Sequence, residues 1–363
     1  MSHLEIILPF AIPPAPLARD LQRELTVPGY STLIGKATIG TTEVFEDFSR
    51  RLPHETVLAG HFAMESRADT AGDLLNLPEI VSNQPDHQRS SPKDTHNKMR
   101  ALGLTVDQGL WFTLHPVHIH IARDHLVLSD HRRLMLSEAD ARLLFRDAEL
   151  ISSELGKTLI YGDAQHWFLR ADDWQDMCTA TPDAACGHNV DIWMPKGTQE
   201  RAWRKLQNEI QMQWHSHPVN QERESQGHKP VNSVWLSGGS TQAMTLPAIT
   251  AGPAHCKELI KEFTNDPAPG KNYRIILDHL LEPALNSDWA EWLTQMQILE
   301  QDWFTPAVAA LRSRELDRLV LTVSDASLLT QFSLTPWSLK KFWRKNSLDT
   351  LFTLPISSTT NTA

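Results

Sequence analysis

Two hydrophobic periods alternate at both ends of this chain, and that alternation limits its fold more than any other feature. The run LEIILPFA (residues 4–11) is short, continuously apolar and closed by prolines, as a buried strand would be. PLARDLQREL (16–25) follows with Leu17, Leu21 and Leu25 at helical spacing. The C-terminal part repeats the scheme. PAHCKELIKEF (253–263) reads as helix, YRIILDHL (273–280) as strand, residues 287–311 as a long helix and DRLVLTVSD (317–325) as strand. Strands that alternate with helices predict an α/β fold with a mostly parallel sheet and helices on both faces. A chain of 363 residues exceeds one ordinary core, so two domains, or one domain with an insertion, are expected.

The middle of the chain has shorter periods. HPVHIHIARDHLVLS (115–129) predicts strand, turn and strand. SEADARLLFRDAELI (137–151) predicts a helix with Ser137 as N-cap and Asp140 at its third position. KTLIYG and QHWFLRA predict a hairpin around Gly162-Asp163. After Thr198, a suitable N-cap, Trp203, Leu206, Ile210 and Trp214 share one helical face. Asn220 can cap a short turn that Gly227 ends, with VNSVWLS (231–237) as the next strand. Residues 76–98 read as a long polar loop, and the tail LPISSTTNTA as disordered. The 12 tryptophans fall on helix faces and strands, which assigns them to core packing.

Charge and cysteine usage remove some functions. A net charge of −10 argues against broad contact with a nucleic-acid backbone, while leaving room for a local anion pocket. Cys178, Cys186 and Cys256 are odd in number and fit no zinc spacing, so reduced thiols in the cytoplasm are expected. The apolar N-terminal stretch carries Glu5 and four prolines, and no later run is long enough to span a bilayer, so no membrane partner is expected.

His118 and His120 lie two apart on a presumed strand and could ligate one metal, although polar positions on a strand surface explain them more simply. GKATIG (35–40) lacks the Gly-Lys-Ser/Thr ending of a phosphate loop and reads as a turn. The segment 215–239 holds His215, His217 and His228 together with Arg223 and Lys229. Arg223, Lys229 and Arg204 could receive a carboxylate or phosphate, Arg as a bidentate fork. Equally, the segment could be a proline-stiffened connection whose Asn side chains bond neighbouring backbone. The residues alone leave both readings open.

HPVNQERESQGHKPVNSVWLSGG (217–239) closely resembles a segment of the archaeal-type, cofactor-independent phosphoglycerate mutases. Those read His-Pro-Val-Asn, an Arg three residues on, a Gly, Pro-Ala-Asn and then Ile-Trp-Leu-Trp-Gly-Gln-Gly. Weaker similarity runs along the chain. SEADARLLF resembles the family's Ser/Thr-Glu-Glu-Ala helix. LPHETVLAGHFAM (52–64) sits where the family has its nucleophile segment, LEPALNSDWAEWLTQMQILEQD (281–302) where it has Asp-Glu-x-x-His-x-x-Asp, and LVLTVSDAS (319–327) where a strand ends in Asp-His. The whole also resembles the RpfE-type regulatory proteins of proteobacteria. The resemblance implies an alkaline-phosphatase-like core over residues 1–123 and 235–345, a smaller α/β domain inserted at 124–234, and a C-terminal tail at 346–363. In the active family two divalent metals, such as Mn or Zn, clamp a phosphoryl group that a hydroxyl nucleophile carries, and Arg residues hold the phosphoglycerate. Arg223, with Asn220, Asn232 and His217, would here face a small phosphorylated or carboxylated ligand.

The departures from the family are specific. No acidic residue lies between Glu5 and Asp20, where the family's first strand ends in a metal-binding Asp. Glu55 takes the nucleophile position, with Thr56 one residue beyond. Glu282 and Asp288 remain from the later acidic motif, but Leu285 and Ala326 replace its imidazoles and leave Asp325 alone. Of 17 histidines none follows His279. Glu55, Thr56, Glu282, Asp288 and Asp325 are therefore expected to be degenerate positions. No catalytic residue, metal or cofactor is expected, and the role becomes binding or regulation. The alternative is an active metal-dependent mutase or phosphatase with a site rebuilt from His54, His61, His118 or His120.

Overall fold

A computed structural model describes residues 2–58, 90–242, 256–258, 260 and 272–352. The chain forms two compact units, Met1–Phe45 with Pro247–Ala363, and Glu46–Leu246 between them in sequence. In chain order the strands are β1 (His3–Leu8) and β2 (Thr38–Val44). Within the second unit come β3 (Trp111–Val117), β4 (Ile119–Ala122), β5 (His125–Leu128), β6 (Thr158–Tyr161), β7 (Trp167–Arg170) and β8 (Ser233–Ser240). Back in the first unit follow β9 (Asn272–Ile276), β10 (Arg318–Ser324) and β11 (Leu328–Leu334).

The first unit holds a five-stranded sheet in the order β2-β11-β10-β1-β9. β1 pairs in parallel with both β10 and β9, whereas β10–β11 and β11–β2 are antiparallel. The sheet is mixed, not mostly parallel as the sequence suggests. The cause is the three-residue link 325–327, which permits only a hairpin between β10 and β11. Leu4, Ile6 and Leu8 of β1 pack into a core with Leu33, Trp292, Phe304, Leu321 and Phe332. The expected long helix is present as Trp289–Leu299 and Thr305–Ser313, joined by a π turn over Glu300–Phe304. That turn has a packing role. Buried Glu300 accepts the backbone N–H groups of Gly29 at 2.7 Å and Tyr30 at 2.9 Å, at the start of the helix Pro28–Lys36. These are donors that the helix itself leaves unpaired. A Cβ on Gly29 would lie 2.6 Å from the same carboxylate, so glycine is required for the approach.

The second unit holds a four-stranded sheet, β6-β7-β3-β8, in which every pairing is antiparallel, and a separate β4–β5 hairpin. β3 and β8 lie side by side, so the unit begins before β3 and ends after β8. Its limits therefore differ from the expected insertion at 124–234. All seven residues of β3 are buried, as in a strand covered on both faces. The amphipathic helix Glu200–His215 buries Trp203, Leu206, Ile210 and Trp214, each at most 1% exposed. At about 2–3 kcal/mol per large apolar side chain, this face is a main source of the unit's stability. Ser137 caps Glu138–Glu154 by accepting from Asp140 N–H, and β6 and β7 form the expected hairpin. Thr198 does not cap the next helix; it bonds Asp176 through both its N–H and its hydroxyl. Near its end β8 carries Gly238 (φ 75°) and Gly239 (φ 116°), where the register with β3 shifts. At Gly238 a side chain would also overlap Thr95 Oγ1.

Three loop expectations change. Part of the long loop at 76–98 is helical, because Thr95–Ala101 forms a helix, and residues 76–89 lie outside those described. The short turn after residue 217 is the helix Pro218–Ser225, capped by His217 and not by Asn220. Of the expected tail, Leu348 and Leu351 are buried and Asp349–Phe352 is helical; residues 353–363 lie outside those described.

Candidate functional site

The carboxylates that the sequence places at degenerate site positions in the first unit each have a local task. Asp325 follows β10, and its Oδ1 accepts the N–H groups of Ser327 and Leu328, both at 2.7 Å. It thereby closes the β10–β11 turn as an Asx cap. Burial raises its pKa, against these hydrogen bonds. Asp288 caps the helix Trp289–Leu299 by accepting from Glu291 N–H at 3.3 Å, and Glu282 Oε1 lies 3.4 Å from Asn286 Nδ2. These positions offer a two-metal site few ligands. Leu285 and Ala326 have no ligand atom, and among the described residues no three His, Cys, Asp or Glu side chains gather as a metal would require.

Glu55 and Thr56 lie in the second unit, on a helical segment over residues 53–58 that Pro53 opens. Glu55 Oε2 accepts Leu52 N–H at 2.6 Å, folding back on the start of its own helix. It also accepts the Thr181 hydroxyl at 2.9 Å, and Thr181 caps the short helix Pro182–Ala185 that carries Asp183. Part of Glu55 reaches the surface, but its carboxyl is enclosed. That burial, with the negative charge of Asp183 nearby, pushes its pKa up to about 8. Asp183 behaves in the opposite way. Burial favours its neutral form, yet the Arg132 guanidinium grips it with two bonds, Nη2 at 2.7 Å and Nη1 at 3.2 Å, and holds its pKa below the usual range. Arg132 Nη2 also reaches Asp130 Oδ2 at 3.3 Å. Its Nε lies 3.0 Å from Asp130 Oδ1 but is not aligned for a hydrogen bond.

Imidazoles surround this ion pair. His115 and Thr113 share a face of β3 by alternation. His115 uses Nδ1 on Gln165 O at 3.2 Å and Nε2 on Ser237 Oγ at 2.9 Å, and its ring lies 5.5 Å from His131 and 5.3 Å from His166. His166 in turn bonds Asp163 at 2.9 Å. Burial lowers His54 and His131 to about 4 and holds His115 well below its usual value. All three are neutral at pH 7. His54 Nδ1 and Thr56 Oγ1 are buried without a hydrogen-bond partner among the described residues. The cluster thus combines one tight ion pair, one protonated carboxyl and three uncharged imidazoles. Sequence patterning isolates Glu55 and Thr56 but misses Asp183, Arg132 and His115. These come from three separate segments, and no local spacing links them.

The segment 217–239 has structural partners. His217 Nδ1 accepts Val219 N–H at 3.1 Å as a helix cap. Asn220 bonds Trp214 O, Val231 O and Val231 N–H, which ties the helix Pro218–Ser225 to the approach to β8. Asn232 exchanges two bonds with the backbone of Ile119, both at 2.8 Å. Buried Arg223 donates Nη2 to Leu134 O at 2.6 Å and Nε to Lys229 O at 3.0 Å. An incoming anion would compete with these carbonyls. His118 and His120 stack at 5.8 Å, but each ring has its own partner, Pro230 O for His118 and Ser129 Oγ for His120. His61 lies outside the described residues. Among the described residues no helix is long and apolar enough to cross a membrane.

No protein-family profile matches the sequence, and no curated protein is similar to it. Solved structures similar to the chain include two archaeal proteins. One is a cofactor-independent phosphoglycerate mutase from Thermoplasma acidophilum DSM 1728, 12% identical over 92% of this chain and 90% of that chain, with a TM-score of 0.33. The other is the PH0037 protein from Pyrococcus horikoshii, 9% identical over 92% of this chain and 87% of that chain, with a TM-score of 0.49. At these scores neither likeness assigns a function, and the residues carry the argument.

Proposed function

We propose that this chain is a phosphoglycerate-mutase-like protein that has lost two-metal phosphoryl transfer and acts by binding or regulation, in the manner of the RpfE-type group it resembles. The observation that carries the reading is Asp325. Its Oδ1 is engaged by two backbone N–H groups, with Ala326 beside it where the family has an imidazole. Glu55 and Asp288 support it, since each also holds backbone at a helix start. A carboxylate used this way keeps only its second oxygen for a metal, and here no imidazole stands beside it to complete a site. The test is metal analysis of the purified chain, combined with an assay for interconversion of 2- and 3-phosphoglycerate in Mn and in Zn. Inert protein is expected in both metals, and stoichiometric metal with turnover would refute the proposal.

A relocated active site is the competing reading. Thr56 Oγ1 and His54 Nδ1 favour it, as buried polar atoms with no partner among the described residues. Turnover that survives Asp325→Asn but not Thr56→Val would establish it.

A further inference from the structure

In the first unit, residues 337–345 (WSLKKFWRK) expose three large aromatic side chains: Trp337 at 70%, Phe342 at 88% and Trp343 at 68%. Lys340, Lys341, Arg344 and Lys345 lie among them, and no Asp or Glu occurs between Asp325 and Asp349. Four positive charges are thus concentrated in a chain of net charge −10. Single exposed apolar residues need no explanation, but three rings this close in sequence do.

The backbone beneath the rings is held in place. Lys36 Nζ donates to Lys341 O at 2.8 Å and also to Arg344 O. The Arg344 guanidinium donates to Ala37 O, and Lys341 Nζ lies 3.4 Å from Thr38 Oγ1. At Gly35 a Cβ would collide with the backbone of Lys345 and Ser347, so the segment lies directly on the helix Pro28–Lys36. Leu348 and Leu351 are buried just beyond it. The rings are therefore displayed by a fixed scaffold. Phe342 and Trp343 meet edge to face at 5.1 Å, and the Lys340 ammonium sits 4.4 Å above the Trp337 ring. Asp349 is the acidic group that senses Lys345.

We propose that residues 337–345 form an interfacial anchor that seats the chain on an anionic lipid bilayer. Indole and phenyl rings settle at the boundary between headgroups and acyl chains, while the exposed Lys340 and Lys345 extend to the phosphates. The charge excess complements an anionic leaflet, whose field acts within about a Debye length of the surface. Single-stranded nucleic acid is a poorer fit. It would need faces splayed to stack successive bases, and Phe342 and Trp343 are packed against each other. One short anchor gives weak, reversible and salt-sensitive attachment.

The full chain is sedimented with vesicles of equal parts phosphatidylcholine and phosphatidylserine, and with phosphatidylcholine alone. Partitioning into the mixed vesicles is expected, about tenfold weaker for phosphatidylcholine alone and for Phe342→Ser/Trp343→Ser, and several-fold weaker for Lys340→Gln/Lys345→Gln. These side chains are exposed, and near-UV circular dichroism checks that the variants keep the fold. The proposal is overturned by absent binding to mixed vesicles, by undiminished binding of the aromatic double variant, or by tighter binding to oligo-dT or polyglutamate than to the vesicles.

Discussion

Glu55→Gln tests the buried cluster most directly. The carboxyl has a pKa of about 8, against 4.5 for the free side chain, because burial and Asp183 disfavour its charge. Below pH 4.5 both folded and unfolded chains carry the proton, and no cost arises. From pH 4.5 to about 8 the unfolded chain releases a proton that the folded chain keeps, so stability falls across this window and levels off above it. At about 1.4 kcal/mol per pH unit the full gap corresponds to roughly 5 kcal/mol. That figure is a ceiling; with part of the residue at the surface, about 2 kcal/mol is the working expectation. Gln reproduces the protonated acid, since its amide oxygen can accept from Leu52 N–H and the Thr181 hydroxyl. The neutral histidines act oppositely. His54 and His131 have lowered folded values, so their contribution is complete above pH 6.5 and is lost as pH falls toward about 4. They are common to both proteins and largely cancel in the difference. Asp183, held low by Arg132, titrates below the window, and Lys98 also faces Glu55. The assay is urea unfolding of the full chain at pH 5 to 8.5, read by hydrogen exchange of the β3 amides, so that the signal belongs to the second unit. The stability of Glu55→Gln minus that of the native chain should rise by about 2 kcal/mol from pH 5 to pH 8. A flat or falling difference would show that Glu55 is ionised in the folded protein, and the reasoning would fail.

Arg223→Ala should lower stability by about 2–4 kcal/mol, because Leu134 O and Lys229 O lose a buried cationic donor. Thermal unfolding should show the same deficit with and without 3-phosphoglycerate; a ligand-induced rise in Tm confined to the native chain would instead support an anion site there. Asp325→Asn should stay within about 1 kcal/mol of the native chain, since Asn can accept the same two N–H groups, while Asp325→Ala should cost about 1–2 kcal/mol. Equal losses for both in chemical denaturation would show that the charge, and not the turn, is what matters.

The elements legible in the sequence are those that one local rule specifies. Trp203, Leu206, Ile210 and Trp214 fall at helical spacing, and the burial of all four follows from that period. Ser137 and Asp140 specify a helix start by hydrogen bonding over three residues. The sheet order was not legible, because pairing between β10 and β11, or between β3 and β8, depends on partners far apart or on the length of one turn. Thr198 shows the limit of a residue preference. It is a good cap by type, but Asp176 takes both its donors. Arg223 shows the same limit for function. A cation between two Asn-containing turns looks like an anion receptor in sequence, and only the fold reveals that carbonyl oxygens already occupy two edges of its fork.

The distribution of histidine connects these points. Fourteen of the 17 lie within Glu46–Leu246, and only His3, His255 and His279 belong to the first unit. A phosphoryl-transfer core of the kind the sequence resembles would draw its imidazoles from the C-terminal part of the first unit, where Leu285 and Ala326 now stand. In the second unit, burial keeps His54, His115 and His131 uncharged, and His115 is fixed by Ser237 and Gln165 O. A neutral imidazole has the lone pair a metal needs, but His115 has both nitrogens engaged. Asp183, the strongest acid of the cluster, is neutralised by Arg132 in a bidentate pair. Recruiting either to a metal would break an existing interaction; the ion pair is largely but not fully buried, so its loss would cost less than the about 3–5 kcal/mol of a fully buried pair. Asp183, Arg132 and His115 are thus held by contacts that also hold the second unit together, whereas His54 Nδ1 and Thr56 Oγ1 have no partner among the described residues.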